Sequence, residues 1–372
     1  MNQRYEKMNE LLKEWEKTGK YDKNILKALF AQVNLENAPQ VKADDKLTTE
    51  TMYSGLSNER LYEMYEKKNF NNLSTKELQH LIQEAHNRFI KSNDLDVTRH
   101  VIVESDKEKD GVYGYVCSED NMLFINKYMI DKAKQTSVNR DHFNAENLGK
   151  CVLFTAIHES KHVVQFDNSV RFALKENMSK EEMFSGAMTG LNNANFFIAD
   201  EKGDETYFMQ WQAMYDYHFL EHEANYTATT NLEKMIDEDN KNGMPYHQYL
   251  AETSLLGLRY MPSLTESNHG KIKTRVQKIE NYIKKQLAYF EENAQNCPLK
   301  NDIIKVINDY IKVDEKGNSD LRTRLFSEIQ EMNDNCVNSM KTVKDMRKGK
   351  NRKLMDINEE ENDFSLDNSR KL

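Results

Sequence analysis

The sequence predicts an α+β chain that is predominantly helical, with one small antiparallel sheet and helical extensions around it. Three observations predict this. Only 4 Pro and 13 Gly occur in 372 residues, so helices meet few breaks. Apolar residues recur at three- and four-residue spacings through most of the chain. The β-branched texture of strands is confined to residues 97–126.

The first 33 residues read as two short helices. Leu11, Leu12 and Trp15 form one stripe, Ile25, Leu26, Leu29 and Phe30 the next, and Gly19 breaks the pattern between them. Residues 34–50 lack periodicity and read as a linker, so 1–50 is set apart as an N-terminal helical extension, expected to pack on the rest. Helices follow at 57–68 and 75–93. The second opens on Ser74-Thr75-Lys76-Glu77, a capping-box pattern in which the first side chain and the fourth satisfy each other's backbone donors. His80 and His86 on this helix read as surface or boundary residues.

Val97–Glu104 reads as a strand. Gly111–Cys117 and Met122–Asn126 read as a β-hairpin turning at 118–121. A buried helix spans Cys151–Phe166, with Asn144 as a candidate cap near its entry. Met183–Leu191 predicts a further helix. Asn192-Asn193 and Asp200–Asp204 read as loops, and the 167–205 segment as a possible cover for a cleft. A long aromatic helix is expected over 205–238, where Ala224 and Ala228 permit close packing against a neighbour. Helices are expected at 247–258, 271–295, 300–312 and 319–340. The organisation is therefore an extension (1–50), a main domain (51–245), a C-terminal helical region (246–340) and a charged tail (341–372) with the composition of a disordered segment.

A net charge of −9 makes nucleic acid an unexpected partner. Cys117, Cys151, Cys297 and Cys336 form no CxxC pair, and scattered cysteines fit a reducing compartment. The start of the chain has no apolar signal region and no apolar run approaches 18 residues. A cytoplasmic location with no membrane partner is the expectation, and signal-less secretion is compatible with it.

The chemistry concentrates in His158-Glu159-Ser160-Lys161-His162, an HExxH pattern. On a helix, His158 and His162 stand on one face and their imidazoles can converge on one ion. Glu159 sits about 100° further round, where it reaches a water rather than the ligand plane. Two neutral imidazoles, a third protein ligand and an open position suit a catalytic zinc. The pattern arises by chance in roughly 3% of chains of this composition, so context decides. Here the flanks Val152, Leu153, Ala156, Ile157, Val163, Val164 and Phe166 are apolar, and two histidines and a glutamate in a buried helix are costly without a partner. The competing reading is a core helix whose histidines bond to polar neighbours. A third ligand is sought near residues 218–228, where Glu221 and Glu223 lie about 200° apart and only one can face the ion; His218 and His222 are further candidates.

The order strand, hairpin, TAIHESKHVVQ helix and EHEANYTA helix resembles the ImmA/IrrE-like gluzincin zinc peptidases. The resemblance covers about 95–228 and rests on those two short motifs. It implies a zincin-like catalytic domain that binds Zn2+ and acts on a protein or peptide substrate. It implies Glu221 as third ligand and Asn225, one helical turn along, as the residue behind the ligands. Gln165 also occurs at this place in related small zincins. The interval from His162 to Glu221 is longer than in compact members, and Thr227 replaces the usual aromatic.

The expected reaction is peptide hydrolysis, with Glu159 as general base toward a zinc-activated water. Tyr215, Tyr217, His218 and Tyr226 are candidate oxyanion donors, and an edge strand such as Met122–Asn126 would align the substrate. The alternatives are a catalytically inactive zincin-fold protein acting as a regulatory or partner-binding module, and a structural helical protein with a coincidental motif.

Overall fold

The computed structural model describes residues 3–21, 26, 29, 50–95, 99–117, 122–135, 148–237, 269–332 and 334. Residues 34–49 of the expected 34–50 linker, the hairpin turn at 118–121, the cap at Asn144, the helix at 247–258 and the 341–372 tail lie outside these residues, as does most of the second N-terminal helix. Its Leu26 and Leu29 are described, helical and fully buried.

The fold is α+β and predominantly helical. Helix α1 (Gln3–Lys17) is followed by α2 (Asn58–Glu63), α3 (Lys67–Phe70) and α4 (Thr75–Ser92). The sheet comprises β1 (His100–Glu104), β2 (Gly114–Cys117) and β3 (Met122–Asn126). Then come α5 (Lys127–Gln135), α6 (Leu148–Ala173), α7 (Lys180–Lys202), α8 (Glu205–Ala213), α9 (Phe219–Asp237), α10 (His269–Asn293) and α11 (Lys300–Ile311). A last helix, α12, covers 320–332. Among the described residues no helix is long and apolar enough to cross a membrane.

Helix α6 carries the HExxH pattern and is the axle of the fold. It is buried nearly all round, from Leu148 to Ala173, as a helix must be when it has neighbours on every side. Helices α4, α7 and α9 pack along it, and β2 packs against it. Its apolar side chains join one contiguous core that runs from Met8 on α1 to Met332 on α12. Helix α1 is tied to its far end, where Arg4 forks onto Asp167 (Nη1 to Oδ1 3.0 Å) and Glu176 (Nε to Oε1 2.9 Å). The N-terminal extension is thus packed against the core, with Met8 and Leu12 buried. The capping box on α4 forms as expected, Ser74 and Glu77 bonding reciprocally.

The sheet is mixed, which corrects the antiparallel expectation. Its order is β1-β3-β2. β2 and β3 form the expected hairpin, Tyr115 opposite Phe124, but β3 lies parallel to β1, Ile102 opposite Phe124. Asn126 supplies the physical reason. Fully buried at the end of β3, its side-chain amide donates to the carbonyls of Asp106, Lys109 and Val112, and its oxygen accepts from the Asp106 amide. These bonds hold the β1–β2 loop folded across the end of β3, so the hairpin returns into the slot between the outer strands. Met122–Asn126 is therefore the central strand and β2 an edge, contrary to the substrate-edge expectation.

Two helical expectations change as well. α7 runs unbroken through Asn192-Asn193 and packs along α6. It is a core helix and not a cover. Its loop-like residues are overridden by burial, Asn195 bonding to the Gln286 carbonyl at 2.8 Å. The aromatic helix over 205–238 is broken by a 3-10 turn at Tyr215–Tyr217, which re-aims α9.

Close approach of α6 and α7 depends on Gly186. A Cβ there would lie 2.5 Å from the Asn168 carbonyl oxygen, whereas at Gly190 the nearest atom, Ile303 Cδ1, is 3.4 Å away. Helix propensity favours alanine over glycine by about 1 kcal/mol at both sites. At Gly186 a backbone clash opposes it, and overpacking costs roughly 1–3 kcal/mol. Gly190→Ala is expected to be neutral or stabilising and Gly186→Ala destabilising, read as opposite shifts of the urea midpoint. Equal stability of the two variants would contradict this packing.

Candidate metal centre

The four-residue spacing of His158 and His162 places both rings on one side of α6, with centroids 4.8 Å apart. The break at Tyr215–Tyr217 sets Glu221 in the first turn of α9, whose N-terminus favours a carboxylate. Ala224 and Ala228, both fully buried, let α9 lie close along α6. The three side chains meet. His158 Nε2 is 3.2 Å from His162 Nε2 and 3.3 Å from Glu221 Oε2, and His162 Nε2 is 3.5 Å from Glu221 Oε1. Among the described residues they are the one cluster of His, Cys, Asp and Glu whose ligand atoms converge in this way.

The hydrogen bonds behind the rings decide what this cluster can hold. His158 Nδ1 donates to Asn225 Oδ1 (2.9 Å) and His162 Nδ1 donates to Gln165 Oε1 (2.8 Å). With both protons on Nδ1, both Nε2 atoms direct lone pairs into the site. Glu221 Oε2 is buried without a hydrogen-bond partner. With neutral rings, acceptors thus face one another, an arrangement that either a ring proton shared with Glu221 or a bound cation relieves. The spacing fits zinc, whose bonds of about 2.0–2.1 Å at the tetrahedral angle put ligand atoms about 3.3–3.4 Å apart.

Glu159, beside His158, is buried. Burial pushes its carboxyl up to about 7; His162 opposes the rise and Glu221 adds to it. Glu221 goes the other way. Burial works to raise its carboxyl, but His162, His158 and the Tyr215 hydroxyl hold it down at about 2. Within the cluster one carboxyl is thus held low, and beside it burial raises a second.

The other ligand candidates face elsewhere. Glu223 bonds to Arg324, Gln165 and Ser185. His222 bonds to Glu328, and His218 bonds to the Trp211 carbonyl with its ring stacked on Tyr282. Of the four oxyanion candidates, Tyr217 accepts from Lys278, Tyr226 donates to Glu331 and His218 is engaged as above. Tyr215 alone touches a member of the cluster, through Glu221.

One supporting residue was misread from sequence. His86 is fully buried, not a surface residue. Its Nδ1 donates to Ser160 Oγ inside the HExxH segment (2.8 Å), and its Nε2 accepts from the Arg99 amide (2.9 Å). Ser160 sends its own proton to the Ala156 carbonyl, which fixes His86 as neutral with the proton on Nδ1. Neither partner is near His86 in sequence, so no local pattern announces the contact. A scan against protein-family models and searches of curated proteins and of solved structures return no significant match.

Burial, with a smaller contribution from Arg99, lowers the His86 ring to about 3. The unfolded chain then takes up the proton first as pH falls, so this contribution is complete above about pH 6.5 and is lost toward pH 3. Unfolding midpoints measured between pH 7.5 and 4 should fall more steeply for wild type than for His86→Gln, by up to about 1.4 kcal/mol per pH unit. Parallel profiles would contradict a neutral buried His86.

Proposed function

We propose that the chain is a zinc-dependent peptidase with a zincin-like catalytic domain of the gluzincin type. The observation that carries this reading is the convergence of His158 Nε2, His162 Nε2 and Glu221 within 3.2–3.5 Å, with both Nδ1 protons committed to Asn225 and Gln165. The HExxH glutamate standing beside that cluster turns a metal site into a candidate hydrolytic one. When bound, zinc would activate water near neutral pH and polarise a carbonyl.

The chain's own residues supply the rest. His158, His162 and Glu221 hold the ion, and Asn225 and Gln165 keep the rings in the ligating tautomer. Glu159, with its carboxyl at about 7, takes a proton from water and returns it to the leaving amine. Tyr215, whose hydroxyl bonds to Glu221, is the nearest candidate to meet the developing oxyanion, which requires that hydroxyl to turn from Glu221 to the substrate. The substrate is a protein or peptide. β2 suits its alignment by strand addition, being the sheet edge that packs against α6, with Gly114 packed on Thr155 one turn before Glu159.

The test is cleavage of a mixed peptide library by zinc-loaded wild type and Glu159→Gln. Wild type should cut, and the variant should keep its zinc and lose about 10²–10⁴-fold in rate. Equal rates would remove Glu159 from the chemistry. No cleavage by a zinc-loaded wild type would favour the regulatory, non-catalytic alternative.

A further inference from the structure

Helix α12, more than 150 residues after the HExxH segment, reaches the site through an unbroken hydrogen-bond chain. Arg324 Nη2 donates to Glu223 Oε1 at 2.6 Å. Glu223 Oε2 accepts from Gln165 Nε2 at 2.9 Å, and Gln165 Oε1 accepts from His162 Nδ1 at 2.8 Å. We propose that Arg324 is a positioning residue for the metal centre, setting the tautomer and orientation of His162 through Glu223 and Gln165. This rests on the zinc-site reading above and extends it to a residue outside the region of resemblance.

The geometry permits one arrangement of the relay. Gln165 Nε2 faces two acceptors, Glu223 Oε2 and the Leu220 carbonyl, each at 2.9 Å. The amide nitrogen must therefore lie on that side, which leaves the amide oxygen toward His162. An oxygen there can only accept, so His162 carries its proton on Nδ1 and presents Nε2 to the site. Glu223, 3% exposed, is the junction of the chain, with Arg324, Gln165 and Ser185 all donating to its carboxyl oxygens. Arg324 makes the short contact, while Lys161 Nζ stands 3.5 Å from Oε1.

The second arm of Arg324 reinforces the link. Its Nε donates to Glu328 Oε1 (2.7 Å), and Glu328 Oε2 accepts from His222 Nε2 (3.0 Å), next to the ligand Glu221. The guanidinium also lies over the Phe219 ring, 5.1 Å from its centre. A planar fork with two separate acceptors is a task for arginine, since a lysine ammonium is a single point charge.

The experiment measures zinc affinity of the full chain by chelator competition for wild type, Arg324→Met, Arg324→Lys, Gln165→Met and the Arg324→Met/Gln165→Met double variant. Alongside it, 15N–1H correlation of the histidine rings in metal-free protein reads the His162 tautomer. Arg324→Met should weaken zinc binding by about tenfold, the lower end of the effect of residues behind a ligand. Arg324→Lys should recover part of this loss. In the Gln165→Met background the Arg324 substitution should add nothing, and the Nδ1–H signal of His162 should be lost in both single variants. The proposal fails if a folded Arg324→Met keeps wild-type affinity and tautomer, or if its effect is undiminished in the Gln165→Met background. If Arg324→Met does not fold, Arg324→Lys carries the same readouts. A wild type that takes up no zinc refutes the metal reading instead, and the tautomer in metal-free protein then still decides the relay.

Discussion

Three lone-pair acceptors at mutual distances of 3.2–3.5 Å, with their protons directed away, are the constraint on which this structure turns. While both rings are neutral, their nitrogens and the carboxylate cannot bond one another; a protonated ring or a bound cation removes the conflict. The arrangement is meaningful only if the surrounding scaffold is stiff enough to hold it. That scaffold is α6, a helix buried on every side, and α9, laid against it over the small faces of Ala224 and Ala228. Each ring is pinned on its far side by an amide oxygen, one from each of these two helices.

Electrostatics divides the carboxylates of the site by their surroundings. Glu221 is half-buried and Glu223 buried, and both carboxyls are held low, the first by His162, His158 and Tyr215, the second by Lys161 and Arg324. At Glu159 burial dominates, and His162 offsets it only in part. On the proposed reading, the three glutamates of the two motifs take three roles: ligand, structural anion and proton carrier. The structural anion joins α6, α7, α9 and α12, which explains how a chain with its two motifs 59 residues apart can hold them in register.

Much of this was legible in the sequence because the relevant spacings are local. His158 and His162 share a helix face by arithmetic, the Ser74–Glu77 box is contained in four residues, and the hairpin of β2 and β3 needs only a short turn. Glu221 was reached through the resemblance, since helix geometry alone left Glu223 open. What stayed hidden was non-local. The parallel pairing of β1 with β3 depends on Asn126 gathering a loop 14 to 20 residues upstream. His86 reads as an amphipathic boundary residue until Ser160 and the Arg99 amide arrive from elsewhere. Asn192-Asn193 has the composition of a loop, and tertiary burial of α7 overrides it. Arg324 carries no local signal, being 101 residues from its partner Glu223.

The central claim is that the cluster of His158, His162 and Glu221 is a metal site. Elemental analysis of protein purified without added metal, for wild type and for Glu221→Ala and His158→Ala, tests it most directly. The account predicts about one zinc per wild-type chain and little in either variant. A wild type that stays metal-free even when zinc is offered, or variants that keep their zinc, would contradict it.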